Sequence, residues 1–272
     1  MSKVAERIQR IKTQLVGNTG VRVLLLEGPD DVDAFRIFLD RQFAAWEQSW
    51  HLEPAGGKKA VLDMLAKEPT WLGVVDQDEW TVQVMTARLA GLPNLSVLPR
   101  FCLESYLVDP AELWAAFPVK QQAKIPGGLA QLAQEIEAGL AEWIRQAALW
   151  HEVRPLWTRL RDLGFPDDVL GSPPMPDDAA LTLLFKGWHD ALDATAVLAR
   201  VKAREQQLHT LQKQELYAKW LYAKAFYPEV VHPVLNRLLG QKDSGVRRNA
   251  IFRTRSLPAD MQPIWRAMGL MP

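Results

Sequence analysis

Acidic side chains follow three apolar stretches of this sequence, at or just beyond the point where each stretch ends. Glu27 closes the stretch RVLLLE, and Asp76 and Asp78 follow the stretch WLGVV. Glu104 comes shortly after a third stretch, LSVLP. Carboxylate oxygens are ligands that Mg²⁺ and Mn²⁺ prefer, and carboxylates brought close together repel one another unless a cation neutralises them. These four acids are therefore candidates for a divalent metal site.

The same acids have a structural alternative. Strand ends are polar in many proteins, and an Asp that follows a strand commonly caps the next helix. The sequence EGPDDVDAF places Asp30 and Asp31 where they would occupy the N-cap or first turn of a helix, where the helix dipole favours acid. Spacing alone leaves the metal site and the capping role both open.

Short apolar strands alternate with helical segments in the first part of the chain. Four strands are predicted, at residues 22–27, within WHLEP, at 71–76 and at 95–99, and apolar residues at helical spacing lie between them. This alternation predicts an α/β fold with a parallel four-stranded sheet flanked by helices. In open parallel sheets, ligands bind outside the carboxyl ends of the strands, where the acids are expected to meet.

The composition changes at Ala111, after which Ala, Leu, Gln, Glu and Lys dominate. These residues are good helix formers. We therefore predict an α/β domain with an N-terminal helix over residues 1–110, and a mostly helical region for substrate or partner recognition over residues 111–272. The proline-rich sequence at residues 165–178 predicts a loop between helices.

Charge gives no global attraction to nucleic acid, because 32 basic residues balance 32 acidic ones. Any such binding must come from a local basic surface, and the densest basic segment is GQKDSGVRRNAIFRTR. Phosphate contact is predicted for four of its residues: Arg247, Arg248, Arg253 and Arg255. A solvated helix face and a contact to the acids of a partner remain alternatives.

Cysteine content and hydropathy indicate a cytoplasmic protein. The single cysteine, Cys102, excludes an internal disulfide and a cysteine-built zinc site, and it is expected to be a buried small side chain. The N-terminal residues carry charges throughout, unlike a secretory signal. No apolar run approaches the roughly 20 residues that a spanning helix requires, so no membrane association is expected.

Four motifs, taken in their order along the chain, resemble a Toprim domain. They are LLLEGPDDVDAF, PAGGKKAV, WLGVVDQDEW and FCLESYL, and they cover about residues 20–110. Within the Toprim proteins they are most similar to the branch close to the overcoming-lysogenization-defect (OLD) nucleases, which includes small stand-alone proteins of bacterial antiviral defence. The resemblance implies that Glu27 is the first-strand glutamate, Asp76 and Asp78 the Asp-x-Asp pair, and Glu104 the later glutamate. The residues Gly56 and Gly57 correspond to the glycine loop after the second strand.

That branch contains metal-dependent nucleases that often work beside an ATPase. Two Mg²⁺ or Mn²⁺ ions about 3.5–4 Å apart can activate a water and stabilise the leaving oxygen of a phosphodiester. Asp76 and Asp78 would be the central ligands, Glu27 a ligand or general base, and Glu104 a ligand of the second ion. Lys58, which follows the glycine loop, would neutralise charge on the phosphate, or else it is a solvated lysine at a helix start.

Departures from the family pattern argue against two classes of Toprim protein, the topoisomerases and the primases. Trp80 stands where topoisomerases and primases of the group carry a third aspartate, and a single cysteine cannot build the zinc module of bacterial primases. A nuclease acting on DNA or RNA remains the first hypothesis. The second is a non-catalytic Toprim module that docks on an ATPase partner.

Overall fold

The computed structural model describes residues 3–17, 20–78, 80–170 and 176–272. Over these ranges, a four-stranded parallel sheet is flanked by helices and followed by a helical C-terminal region, so the predicted α/β fold is confirmed. The elements of the sheet region are α1 (Lys3–Arg10), β1 (Arg22–Leu26), α2 (Pro29–Gln42), β2 (Trp50–Pro54), α3 (Lys58–Leu65), β3 (Leu72–Val75), α4 (Val82–Gly91) and β4 (Leu95–Val97). A π-helical segment, Ile11–Val16, follows α1, and short 3₁₀ turns occupy Trp46–Gln48 and Leu103–Leu107.

The strand order is β2-β1-β3-β4, so β1 and β3 are the two central strands. Leu24 of β1 pairs with Leu52 of β2 on one side and with Leu72 of β3 on the other. The last four residues of β1 and all of β3 are buried, as expected for strands covered on both faces. Because β1 and β3 are parallel neighbours, the residues that follow them meet at one edge of the sheet.

Helices cover both faces of the sheet. Val23 and Leu25 of β1 share one core cluster with residues of α1 and α3, including Val61. Leu24 and Leu26 point to the opposite face because side chains alternate along a strand, and α2 packs against β1 and β2. The contact between α3 and β3 is close: a Cβ on Gly73 would lie 2.6 Å from a methyl group of Leu65.

The remaining elements are helical. They are α5 (Pro110–Ala116), α6 (Val119–Gln122), α7 (Gly128–Glu137), α8 (Leu140–Asp162), α9 (Asp167–Leu170), α10 (Asp178–Ala191), α11 (Ala194–His209), α12 (Lys213–Lys219), α13 (Ala223–Phe226), α14 (His232–Leu239), α15 (Ser244–Thr254) and α16 (Gln262–Ala267). A π-helical segment, Tyr227–Val231, joins α13 to α14, and a 3₁₀ turn, Ala259–Met261, precedes α16. Among the described residues, no helix combines the length and apolar character needed to cross a bilayer.

The chain forms two compact units, and the first is built from two separate stretches, Met1–Ala138 and Ala223–Pro272. The change in composition near residue 110 lies inside this first unit. Its C-terminal helices pack on α2: the ring of Phe252 in α15 lies 5.2 Å from that of Phe38, and Trp265 in α16 lies 5.5 Å from Phe35. The last part of the chain therefore contributes to the same unit as the sheet.

The second unit, Gly139–Tyr222, is helical. Its long helix α8 packs against α11 and α10, and Trp150 of α8 stacks on Tyr222 with ring centroids 4.2 Å apart. The predicted loop at 165–178 contains the short helix α9, and residues 171–175 lie outside the described part of the chain.

Candidate metal centre

Three acids that the sequence singles out come together at the carboxyl ends of the two central strands. Glu27 directly follows β1, and Asp76 directly follows β3. Each of Glu27, Asp76 and Asp78 offers a carboxylate oxygen, and these oxygens all lie within 4.8 Å of one another. Glu27 is also tied to the neighbouring strand, because its Oε1 accepts a hydrogen bond of 2.8 Å from the backbone N–H of Asp76.

The glycine loop after β2 holds the backbone of Glu27. The backbone N–H groups of Gly56 and Gly57 both donate to the carbonyl oxygen of Glu27, at 2.9 and 2.8 Å. Gly57 is the N-cap of α3 and has a φ of 114°, a backbone conformation that residues other than glycine rarely adopt. The loop thus fixes the first acid and begins the helix that carries Lys58.

The turn after β3 is fixed in a similar way. Asp78 has a φ of 47°, in the left-handed region that Asp tolerates better than most residues. Its backbone N–H donates at 2.8 Å to the carbonyl oxygen of Phe101, which lies beyond β4. Asp78 is therefore held between two segments that follow neighbouring strands.

Lys58, predicted as a site residue, lies beside the acids. Its Nζ is 2.7 Å from Asp78 Oδ2 and 3.5 Å from the carbonyl oxygen of Gln77. The same ammonium lies over the ring of Trp80, 4.7 Å from the centroid. Trp80 thus provides an aromatic face for Lys58.

Lys224 is a second cation in the centre, and no pattern in the sequence predicts it. Its Nζ lies 2.7 Å from Asp76 Oδ2 and 3.0 Å from Asp78 Oδ1. It belongs to α13, in the stretch that returns to the sheet after the helical unit. Nothing local in the sequence LYAKAF distinguishes it from the other lysines of the helical region, so only its long-range contact reveals it.

Burial and crowding shape the electrostatics of the centre. Burial raises the pKa of Asp76 well above its ordinary value, with Lys224 opposing the rise and Asp31 and Asp78 adding to it. Burial also raises the pKa of Glu27, against the hydrogen bond from Asp76 and the charge of Lys58. For Lys224, burial disfavours the charge, yet Asp76 and Asp78 outweigh it and raise the pKa. Carboxylates in such surroundings hold protons unless a cation offsets their charge.

Asp31 is a fourth acid close to the centre, although its sequence position predicts only a residue at the start of a helix. The N-cap of α2 is Gly28, and its N–H donates at 2.8 Å to Asp31 Oδ2. Burial raises the pKa of Asp31 to about 6, and repulsion from Glu104 and Glu27 adds to that rise. Asp31 follows Glu27 by four residues across the turn between strand and helix, and this short spacing could have indicated that it lies near the centre.

Glu104 is partly buried in the 3₁₀ turn Leu103–Leu107, and it lies outside the group of three acids whose oxygens share one small volume. Its negative charge still influences the centre, because repulsion from Glu104 raises the pKa of Asp31. Cys102, at the start of the same turn, is fully buried as expected from the sequence. Burial raises the pKa of its thiol, and the carboxylates of Glu104 and Asp76 add to the effect.

The four arginines of the basic segment lie in different surroundings. Three are buried and bound within the protein: Arg248 forms two contacts with Asp30, at 2.8 and 2.9 Å, and Arg255 donates to the carbonyl oxygen of Tyr106. Arg247 donates to the Asn236 side chain and the Gly240 carbonyl. Arg253 is exposed. Of the four, Arg253 is therefore the side chain that solvent reaches most freely.

No protein-family model, no curated protein and no solved structure matches this chain. The geometry and chemistry of the site are therefore the observations from which its function must be inferred.

Proposed function

We propose that this protein is a metal-dependent nuclease that hydrolyses phosphodiester bonds of DNA or RNA. The observation that carries the proposal is the group formed by Glu27, Asp76 and Asp78, with ligand oxygens within 4.8 Å of one another at one edge of a parallel sheet. The similarity of the four motifs to Toprim nucleases supports the choice of a phosphodiester as the substrate.

The donor set fits a hard divalent cation, because all of its ligand atoms are carboxylate oxygens. Glu27, Asp76 and Asp78 would hold Mg²⁺ or Mn²⁺, and Asp31 and Glu104 are the acids nearby that could serve a second ion. When bound, such ions supply the positive charge that lowers the pKa of a water and stabilises the transition state of phosphodiester hydrolysis.

Residues of the chain would orient the substrate phosphate. Lys58 lies at the start of α3, 2.7 Å from Asp78 Oδ2, where its ammonium could also contact a phosphate oxygen. The ring of Trp80 and the carbonyl of Gln77 limit the directions in which this ammonium points. Arg253, exposed on α15, is a candidate for contact with a more distant phosphate.

A second candidate is a non-catalytic module that docks on an ATPase. One observation favours it: Lys58 and Lys224 each bind a different oxygen of Asp78, so the centre has internal cations that partly neutralise it. A site that never bound metal would need such partners for its buried acids.

In the nuclease proposal the protein acts in the cytoplasm as a defence effector, alone or beside an ATPase. The similarity to small Toprim proteins of bacterial defence systems supports this setting. The single cysteine is consistent with a reducing compartment.

The proposal is tested by incubating the purified protein with labelled DNA, tRNA and other RNA in Mg²⁺ or Mn²⁺, with and without EDTA. We expect cleavage of at least one substrate, and we expect EDTA to abolish it. Glu27→Gln, Asp76→Asn and Asp78→Asn should each lower the cleavage rate by at least about 100-fold, because each removes a negative ligand from the ion.

Asp63→Asn is the matched control, since Asp63 is an acid of α3 with a 41% exposed side chain that pairs with Lys59 and does not belong to the group of three acids. It should cleave like the wild type. Cleavage that EDTA leaves untouched, or an Asp76→Asn protein with wild-type activity, would contradict the proposal. Absence of cleavage of every substrate would favour the docking module.

A further inference from the structure

Lys224 occupies the position between two of the acids that would hold a metal ion. Its ammonium contacts Asp76 Oδ2 at 2.7 Å and Asp78 Oδ1 at 3.0 Å. The other oxygen of Asp78, Oδ2, contacts Lys58 at 2.7 Å. Both oxygens of Asp78 are therefore bound to an ammonium.

A divalent ion cannot simply be added to this arrangement. Mg²⁺ binds carboxylate oxygens at about 2.0–2.1 Å, so an ion held by Asp76 and Asp78 would lie next to any ammonium bound to the same oxygens. Two cations at such a separation repel strongly in a partly buried site. An ion that binds the oxygens already in contact with Lys58 and Lys224 is therefore expected to displace at least one of the two ammonium groups.

Lys224 is the ammonium better able to leave. Lys58 has further partners in the Trp80 ring and the Gln77 carbonyl, and its side chain is 17% exposed. The contacts described for the Lys224 ammonium are with the two carboxylates, and its side chain is 33% exposed, so it can turn toward water.

The backbone that carries Lys224 is anchored. Ala223 and Phe226 of α13 are fully buried, and α13 packs against the 3₁₀ turn Leu103–Leu107. A rotation of the Lys224 side chain is therefore sufficient to clear the position, without movement of the helix. The flexible four-carbon stem of lysine permits such a rotation.

We propose that Lys224 is an internal competitor for the metal position between Asp76 and Asp78. It neutralises the buried acids when no metal is bound, and it leaves when a divalent ion takes its place. The inference rests on the metal centre of the proposed function. It adds a regulatory property: the centre fills only when the free ion concentration is high enough to displace the lysine.

The test compares Mn²⁺ binding and thermal stability in the wild type and in Lys224→Met, which keeps a side chain of similar length without the charge. The variant should bind Mn²⁺ at least about tenfold more tightly, because no cation competes. Its metal-free form should melt below the wild type, and its rise in melting temperature on adding Mn²⁺ should be larger.

Two further variants serve as controls. Lys224→Arg keeps the positive charge and should not gain affinity for Mn²⁺. Lys59→Met removes an exposed lysine of α3 that pairs with Asp63, and it should leave Mn²⁺ binding unchanged. A gain in Lys59→Met equal to that in Lys224→Met would mean a general charge effect and would overturn the inference.

A measurement on the unaltered protein covers the case in which Lys224→Met fails to fold. Acylation of Lys224 by an amine-reactive reagent, followed by mass spectrometry, should increase when Mn²⁺ is added. Unchanged or reduced labelling overturns the inference. If neither the wild type nor Lys224→Met binds Mn²⁺, the metal centre itself is wrong, whereas binding that is equal or weaker in Lys224→Met overturns the competitor role alone.

Discussion

At the scale of single residues, Asp31 has a distinct effect on the pH dependence of the centre. Its carboxylate accepts a hydrogen bond from Gly28, yet burial and the charges of Glu104 and Glu27 raise its pKa from 3.8 to about 6. The folded protein therefore binds a proton at Asp31 more tightly than the unfolded chain does. By linkage, Asp31 reduces the stability of the metal-free fold as the pH rises from about 4 to 6, and the loss persists above that window.

Asp31→Asn should remove this loss, because an amide keeps an acceptor for the Gly28 N–H but carries no charge. In EDTA at pH 7, we expect the variant to unfold at a higher urea concentration, with a gain of up to about 3 kcal/mol in the free energy of unfolding. The gain should shrink toward pH 4, where the wild-type carboxyl is protonated when folded.

Asp33→Asn is the control, since Asp33 is exposed on the same helix. Its urea midpoint should change little at either pH. An Asp31→Asn protein that is less stable than the wild type at pH 7 would show that the hydrogen bond, rather than the charge, dominates at this position.

At the scale of elements, the glycine loop before α3 positions the first acid. Gly57 has a φ of 114° and no other atom lies within 4 Å of where its Cβ would be, so a substitution there acts through backbone strain alone. Strain of this kind costs about 1–3 kcal/mol. Because the loop N–H groups bind the carbonyl of Glu27, relief of the strain would shift that acid.

Gly57→Ala should therefore lower both the melting temperature and the affinity for Mn²⁺. Gly91→Ala is a matched control, because Gly91 ends α4 without a positive φ and has free space around it. Calorimetry with and without Mn²⁺ measures both effects. A Gly57→Ala protein that matches Gly91→Ala in stability and metal binding would contradict the positioning role of the loop.

Two arginines at the end of α15 are expected to have different roles, one in packing and one in contact with phosphate. Arg255 is buried, contacts Glu112 at 3.1 Å and donates to the carbonyl of Tyr106, whereas Arg253 is exposed. Arg255→Ala should lower the free energy of unfolding by about 3 kcal/mol, since Glu112 and the backbone carbonyl lose a buried partner.

Arg253→Ala should change stability by less than about 0.5 kcal/mol. If it contacts phosphate, it should reduce the slope of log affinity against log salt by about one. Chemical denaturation and a salt series of nucleic-acid binding separate the two outcomes. An unchanged salt slope would mean that Arg253 does not contact phosphate, which leaves a solvated helix face or a contact to the acids of a partner as its role.

The strands and three of the acids could be predicted because both leave local patterns. A short apolar run ended by an acid marks a buried strand and its carboxyl end, and this applies to Glu27 and Asp76. The role of Lys224 could not be predicted, since its partners lie 146 and 148 residues away. The burial of Arg248 and Arg255 could not be predicted for the same reason, because their partners, Asp30 and Glu112, come from other parts of the chain.

At the scale of the whole molecule, the first unit is completed by the C-terminal stretch Ala223–Pro272. That stretch brings Lys224 to the acids, packs α15 against α2, and places the ring of Trp265 in α16 against that of Phe35 in α2. The acidic centre therefore depends on residues from both ends of the chain. The formal net charge of zero means that any attraction to nucleic acid must come from a local basic surface.

The central claim is that Glu27, Asp76 and Asp78 hold a divalent ion, and a Mn²⁺ titration followed by electron paramagnetic resonance tests it most directly. The spectrum of free Mn²⁺ diminishes as the ion binds, so binding is counted without any assay of activity. We predict saturable binding to the wild type and to Asp63→Asn, and binding at least about tenfold weaker in Asp76→Asn, which lacks one negative ligand. A wild-type protein that leaves millimolar Mn²⁺ free, or an Asp76→Asn protein that binds as tightly as the wild type, would contradict the account.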